Sequence, residues 1–257
     1  MDIIVPVKQV PDLVEELEIN SEGTDLDREY LTYIMNEFDE QALEQAVLLK
    51  EATGGTVTVI ALGMGEADAA LYTAAAKGAD NLIKVTGDDF DETPPDSHAM
   101  AAIIAGVLEG RSYDLICTGV QAADDLDGQL GPLLASRLNV PHVSVVAGVV
   151  ADGSDVVATQ EYGGGVTAMI KLATPAVLGI QAAPQTPRYA PISKVRQMQQ
   201  ERTIEEVEAP GVDTPRLKVR KMSAPESASH AEMITGSNDE IVERILTIIR
   251  DKGLAKA

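Results

Sequence analysis

The segment Gly119-Val120-Gln121-Ala122-Ala123-Asp124-Asp125-Leu126-Asp127-Gly128-Gln129-Leu130-Gly131-Pro132 carries the densest set of residues able to do chemistry. It follows an apolar run, Asp114 to Thr118, and leads into a helical pattern, Gly128 to Leu138. In a doubly wound sheet, ligands bind between a strand's carboxyl end and the next helix's amino end. Free backbone amides there can hold a phosphate. Asp124, Asp125 and Asp127 would repel one, so two readings stand. Either the acids cap the helix while backbone amides and Gln129 hold the phosphate, or the acids only satisfy the helix dipole. Gly63-Met64-Gly65, after another apolar run, is a weaker sign of the same kind.

No catalytic constellation accompanies this loop. Glu161, beside Gly163-Gly164-Gly165, reads more readily as a solvated hairpin acid than as a base. His98, His142 and His230 are scattered, which argues against a His-based metal site, and no metal is expected. Cys117 closes an apolar strand and reads as core. As the only cysteine, it excludes an internal disulfide. Arg188-Tyr189-Ala190-Pro191-Ile192 sets a base, an aromatic and an aliphatic residue on a Pro-rich loop. Such a loop either docks a partner or folds back on its own domain.

The elements that must position these residues alternate. Strands are expected at Ile3 to Val7, Thr56 to Leu62, Asn81 to Val85, Asp114 to Thr118, Val143 to Val150 and Ala176 to Ile180. Pro6 cannot donate to a ladder and should sit at its strand's end. Helices are expected from Asn36 to about Thr53, Glu66 to Lys77, Ser97 to Leu108 and Gly128 to Leu138. Asn36 is placed as an N-cap with Asp39 at N3, a variant capping box. Asp12 to Met35 reads as a surface excursion, either a loop or a hairpin, with a turn at Ser21-Glu22-Gly23-Thr24, and Asp88 to Asp96 as a solvent loop. Such alternation implies βαβ units and an open parallel sheet. Beyond residue 150, Val156 to Tyr162 and Val166 to Leu172 flank three glycines as a hairpin. Residues 194 to 202 have helical propensity, Ser223 to Ser237 has linker composition, and Asn238 caps a last helix striped by Ile241, Ile245 and Ile248. This gives a core over 1–192 and, over 193–257, the end of the docking loop, a linker and a C-terminal arm.

Charge narrows the function classes. Forty-one acids against 20 bases give a net charge of −21, which disfavours nucleic acid and anionic membranes as partners. No apolar run reaches about 18 residues, so no membrane insertion is expected. The N-terminal Met-Asp-Ile-Ile-Val lacks the positive charge of a signal peptide, so a cytoplasmic location is expected.

Across nearly its whole length the chain resembles the β subunit of electron transfer flavoproteins. The carrying residues are Val7-Lys8-Gln9-Val10-Pro11-Asp12, Asn36-Glu37-Phe38-Asp39, Ala42-Leu43-Glu44, Lys77-Gly78-Ala79-Asp80 and Gly119-Val120-Gln121-Ala122-Ala123-Asp124-Asp125. Glu161 with its glycines and Pro187-Arg188-Tyr189-Ala190 complete the order. The resemblance implies a doubly wound, mostly parallel α/β sheet like that of adenine-nucleotide α-hydrolases, with a C-terminal arm embracing an α subunit. It implies a redox-active FAD held mostly by that α subunit and a structural AMP in this chain. The AMP pocket would comprise Pro6, Asn36, Phe38, Asp39, Leu62, Gly63, Gly119, Val120, Gln121, Ala122, Ala123, Asp124, Asp125, Asp127, Gly128, Gln129 and Leu130. Arg188, Tyr189 and Ile192 would belong to the docking loop for a flavin dehydrogenase of acyl-CoA type, with Ile192 as its anchor. Glu161 would lie near the flavin. A quinone-linked oxidoreductase or another acceptor would take the electrons.

The match has departures. Glu37 replaces a usual proline, Asp39 stands where some members have cysteine, and Ala123 where isoleucine is commoner. Arg196-Gln197-Met198-Gln199-Gln200 replaces a lysine-rich stretch, so a different dehydrogenase partner is conceivable. Gly128-Gln129-Leu130-Gly131-Pro132 looks like the electron-bifurcating and nitrogen-fixation-associated branch, in whose bifurcating members a second FAD takes the AMP site. Asp125 matches the AMP type instead. The expectation is an electron carrier with AMP. Its rivals are an NADH-linked bifurcating complex with a second FAD here, and a stand-alone adenine-nucleotide sensor. The apolar stripe of the last helix, which needs a surface to cover, argues against the sensor.

Overall fold

The computed structural model describes residues 1–87, 90, 94–125, 127–211, 217–225 and 233–254. Most of the 88–96 loop and part of the expected 223–237 linker lie outside the described residues. The chain divides into two compact units, Met1–Arg220 and Lys221–Ala257.

In the first unit the strands are β1 (Ile3–Val7), β2 (Gln9–Pro11), β3 (Tyr33–Met35), β4 (Val57–Leu62), β5 (Asn81–Thr86), β6 (Leu115–Gly119), β7 (His142–Asp152), β8 (Asp155–Glu161), β9 (Thr167–Leu172), β10 (Ala176–Ile180) and β11 (Glu205–Glu208). The helices are α1 (Glu37–Thr53), α2 (Ala67–Lys77), α3 (Ser97–Val107), α4 (Leu130–Leu138) and α5 (Ile192–Glu201). Nine strands form one sheet in the order β11-β5-β4-β1-β6-β10-β7-β8-β9. It is parallel from β11 to β7 and antiparallel across β7, β8 and β9. The doubly wound α/β class is therefore as expected.

Both faces of the parallel strands are apolar because helices cover both. In β1, Ile3, Val5 and Val7 join the core under α1 and α2, while Ile4 joins the core under α3 and α4. In β6, Leu115 and Cys117 face the first core and Ile116 the second. This is the period-2 alternation of a strand buried twice over.

The order of strands reverses beside β1. From β1 the chain winds outward through β4 and β5, then returns to lay β6 on β1's other side. The β1–β4 ladder runs the full length from Ile3↔Val57 to Val7↔Ala61. The β1–β6 ladder stops after Ile3↔Leu115 and Ile4↔Ile116. Pro6, next to last in β1, lies beyond that stop, so its missing N–H leaves no gap in the ladder to β6. Past Ile4 and Ile116 the ladder no longer joins the two strands, and their carboxyl ends are left unpaired with each other.

Two capping expectations are corrected. Asn36 does occupy the N-cap of α1, but its side chain makes no capping bond, and Asp39 does not close a capping box. Both are drawn into tertiary bonds described below. In the second unit, Ser237 rather than Asn238 caps the final helix, α6 (Asn238–Asp251), in a reciprocal capping box with Glu240. Helix α4 begins at Leu130, two residues later than expected.

The excursion is closed as a hairpin would be, by the antiparallel pair β2–β3 at its two ends, and strand β11 is missing from the expected set. The turn at Ser21–Thr24 is present, closed by an antiparallel bridge between Ile19 and Leu26. Helix α5 starts at Ile192, two residues early.

Candidate functional site

The unpaired ends of β1 and β6 are bridged by Asp39, three residues into helical register from Asn36. One carboxylate oxygen accepts the Lys8 amide at 3.0 Å and the other accepts the Gly119 amide at 3.2 Å. A side chain from α1 thus joins the two strand ends that their own ladder has released. Gly119 is required at this contact. A Cβ there would lie 2.5 Å from Asp39 Oδ1 and 2.8 Å from the Phe38 Cβ. Asp39 is 7% exposed, and burial, outweighing its hydrogen bonds, pushes its carboxyl up to about 7.

The loop 119–129 is held from several directions. Asn36, buried, donates from Nδ2 to the Gln121 carbonyl at 2.9 Å, and the Val120 amide donates to Ile180 O at 3.2 Å. Asp125 turns inward and accepts the Ala122 amide at 3.0 Å. Burial holds its carboxyl above the usual range, against the opposing pull of Lys8. Asp127 accepts the Ser97 hydroxyl at 3.2 Å and the Gln129 amide at 3.4 Å. Gly128 has φ +60°, and a Cβ there would sit 2.6 Å from Val120 O. Only glycine closes the loop at this point.

Lys8, the first residue past β1, crosses to the loop. Its Nζ lies 2.7 Å from Asp124 Oδ1 and 3.6 Å from Asp125 Oδ2. Sequence reasoning placed Lys8 in a motif without giving it a place in the site. The cue was there: a lone base after a strand end and a run of acids after another. On β1's other side, Leu62 is buried, and the Gly63 amide donates to Val85 O at 2.8 Å. Pro6 and Leu62 thus lie near the carboxyl ends of the paired strands β1 and β4.

Buried polar atoms without a hydrogen-bond partner among the described residues are Gln9 Oε1, Thr118 Oγ1 and His142 Nε2. The last two surround Gly131, whose added Cβ would be 3.0 Å from His142 Nε2 and 3.1 Å from Thr118 Oγ1. Burial lowers the pKa of His142, which favours the neutral imidazole. Cys117 is fully buried with its thiol pushed up to about 12, so it offers no nucleophile.

The structure gathers Pro6, Asn36, Phe38, Asp39, Leu62, Gly63 and the 119–130 loop at one end of the sheet; Leu126 lies outside the described residues. Glu161 is elsewhere, exposed at the end of β8 in the β8–β9 hairpin. Arg188 lies against α1. Its guanidinium meets the buried Glu44 at 2.9 Å and Glu51 at 2.8 Å, and its amide donates to Glu44 Oε2. The guanidinium lowers the pKa of both carboxyls. Tyr189 and Ile192 remain 82% and 67% exposed. No helix among the described residues is long and apolar enough to cross a membrane.

The topology defines a doubly wound α/β protein whose strand order reverses between β1 and β6. Comparison with known proteins gives the family. The electron transfer flavoprotein domain model matches residues 24–212. The electron transfer flavoprotein subunit beta of Methylophilus methylotrophus is 33% identical over 98% of both chains. The acryloyl-CoA reductase electron transfer subunit gamma of Anaerotignum propionicum is 28% identical over 98% of this chain and 99% of its own. Protein FixA of Azotobacter vinelandii is 29% identical over 93% of this chain and 89% of its own. The chain belongs to the electron transfer flavoprotein family, among its β subunits, a family of electron carriers.

Proposed function

We propose that this chain is the β subunit of a heterodimer that carries electrons on FAD from a flavin dehydrogenase of acyl-CoA type to a quinone-linked oxidoreductase or another acceptor. An α subunit would supply most of the FAD site, and the flavin, when bound, supplies the redox chemistry. This chain would supply the scaffold, a pocket for a structural AMP, and the docking surface at Tyr189 and Ile192, with Glu161 toward the flavin. The arm within 193–257 would cover the α subunit with the apolar stripe of α6.

The observation that supports the nucleotide pocket is the parting of β1 and β6 at the switch point, bridged by Asp39. Asp39 fixes Lys8 and Gly119, Asn36 fixes Gln121, and every described acid of the loop has a partner within the chain. These residues fit an adenine nucleotide. Pro6 and Leu62 offer apolar backing for a base, and the amino end of α4, from Leu130 on, suits a phosphate. The second reading, a further FAD in the same pocket, is favoured by Gly131–Pro132. Gly131 lets the first turn of α4 pack closely on Thr118 and His142.

The test is to purify the complex with its flavin-binding partner, denature it, and quantify the released nucleotides. One FAD and one AMP per heterodimer is the expected result. Two FAD without AMP would replace the carrier reading with the bifurcating one. A stable homodimer or monomer that binds ATP reversibly would point to a sensor.

A further inference from the structure

The loop 119–129 presents a conflict of charge. A phosphate dianion brought past the loop to the amino end of α4 meets Asp124, Asp125 and Asp127, and these carboxylates repel it. Asp127 is occupied by Ser97 and the Gln129 amide, but its charge remains. Burial raises the pKa of Asp125 and Lys8 lowers it. Lys8 is the cation set against the other two, at 2.7 and 3.6 Å. Its side chain is 14% exposed, against 41% for Asp124 and 27% for Asp125.

The placement of Lys8 is not left to its flexible stem. Its backbone amide is anchored by Asp39 Oδ2, on the same carboxylate that holds Gly119 at the root of the loop. The ammonium therefore reaches the loop from a fixed base. Partly exposed ion pairs of this kind contribute little to stability, so stability is a poor reason to draw a lysine this far out of water. Cancelling the loop's field toward an incoming anion is a better one.

We propose that Lys8 sets the pocket's preference for a phosphorylated nucleoside, by neutralising Asp124 and Asp125 and so letting the amino end of α4 receive the phosphate. This rests on the nucleotide-pocket reading above and deepens it. Lys8 acts here through the loop's carboxylates, as a positioning and specificity-determining residue.

The experiment is calorimetric titration of AMP and of adenosine into the nucleotide-free full chain, co-purified with its flavin-binding partner. The wild type should bind AMP more tightly than adenosine. Lys8→Met should weaken AMP by about tenfold, the scale of one partly screened charge, and leave adenosine within about twofold. Lys8→Arg should keep the preference. The double variant Lys8→Met with Asp124→Asn should recover most of the AMP affinity, because the charge that Lys8 cancelled is gone. If Lys8→Met does not fold, Lys8→Gln takes its place.

An AMP-to-adenosine ratio unchanged in Lys8→Met overturns the proposal while leaving the pocket intact. A double variant as weak as the single one overturns the neutralising role, since a lysine bound directly to phosphate would not be rescued. A wild type that binds neither AMP nor adenosine overturns the pocket reading and the proposal together.

Discussion

Burial pushes the carboxyl of Asp39 up to about 7 in the fold, from an ordinary 3.8 in the unfolded chain. Between those values the folded chain holds a proton that the unfolded chain has released, so raising the pH through this window lowers stability. The shift corresponds to at most about 4 kcal/mol. Asp39→Asn should flatten this part of the pH dependence and still lower stability at pH 5, because its amide nitrogen faces either the Lys8 or the Gly119 N–H. Urea unfolding of both proteins at pH 5 and pH 8 checks this; an equal loss on alkalinisation in the two would exclude Asp39 as its source. The sequence pointed to Asn36 and Asp39 as a pair, but for the wrong bonds. Capping is a local pattern, and both side chains instead answer groups more than 30 residues away, which no spacing rule reaches. Arg188 shows the same limit. Its position on an exposed Pro-rich loop was legible, while its partner Glu44, buried on α1, was hidden inside an amphipathic pattern.

At the scale of elements, apolar runs and glycine stops located the central parallel strands and their helices to within a residue or two, because burial on two faces leaves a continuous signal. Strand β11 was missed for the opposite reason. Glu205-Glu206-Val207-Glu208 has the composition of a solvated loop. It pairs with β5 as an edge strand whose acids find Arg111 and Lys84. The bridge between β1 and β6 depends on the approach of α1 to β6, and that approach depends on Gly119. Gly119→Ala places a methyl against Asp39 and Phe38, both at the start of α1, and should cost about 1–3 kcal/mol. A lowered thermal midpoint together with loss of retained nucleotide is expected; unchanged values for both would mean that the helix start yields freely.

For the whole molecule, the net charge of −21 sets the terms of encounter. A partner with a basic face should associate faster at low salt, and the rate should fall as ionic strength rises. Within that field Ile192 is the proposed anchor. Ile192→Ala should slow electron delivery from the dehydrogenase severalfold while the flavin spectrum stays unchanged, as stopped-flow reduction of the complex would show. Normal delivery would exclude Ile192 from the contact.

The anchor's setting has a thermodynamic consequence. Arg188 pins the chain to α1 just before Tyr189, and β11 pins it to β5 shortly after α5, which itself lies against α2 through Met198 and its neighbours. An exposed loop ordinarily gives up much of its conformational freedom when a partner takes hold of it. Here that freedom is already spent in folding, so recognition through Ile192 would cost little further entropy. Brief and repeated encounters, of the kind a shuttle between two redox partners requires, are suited by a contact patch that is ready before the partner arrives.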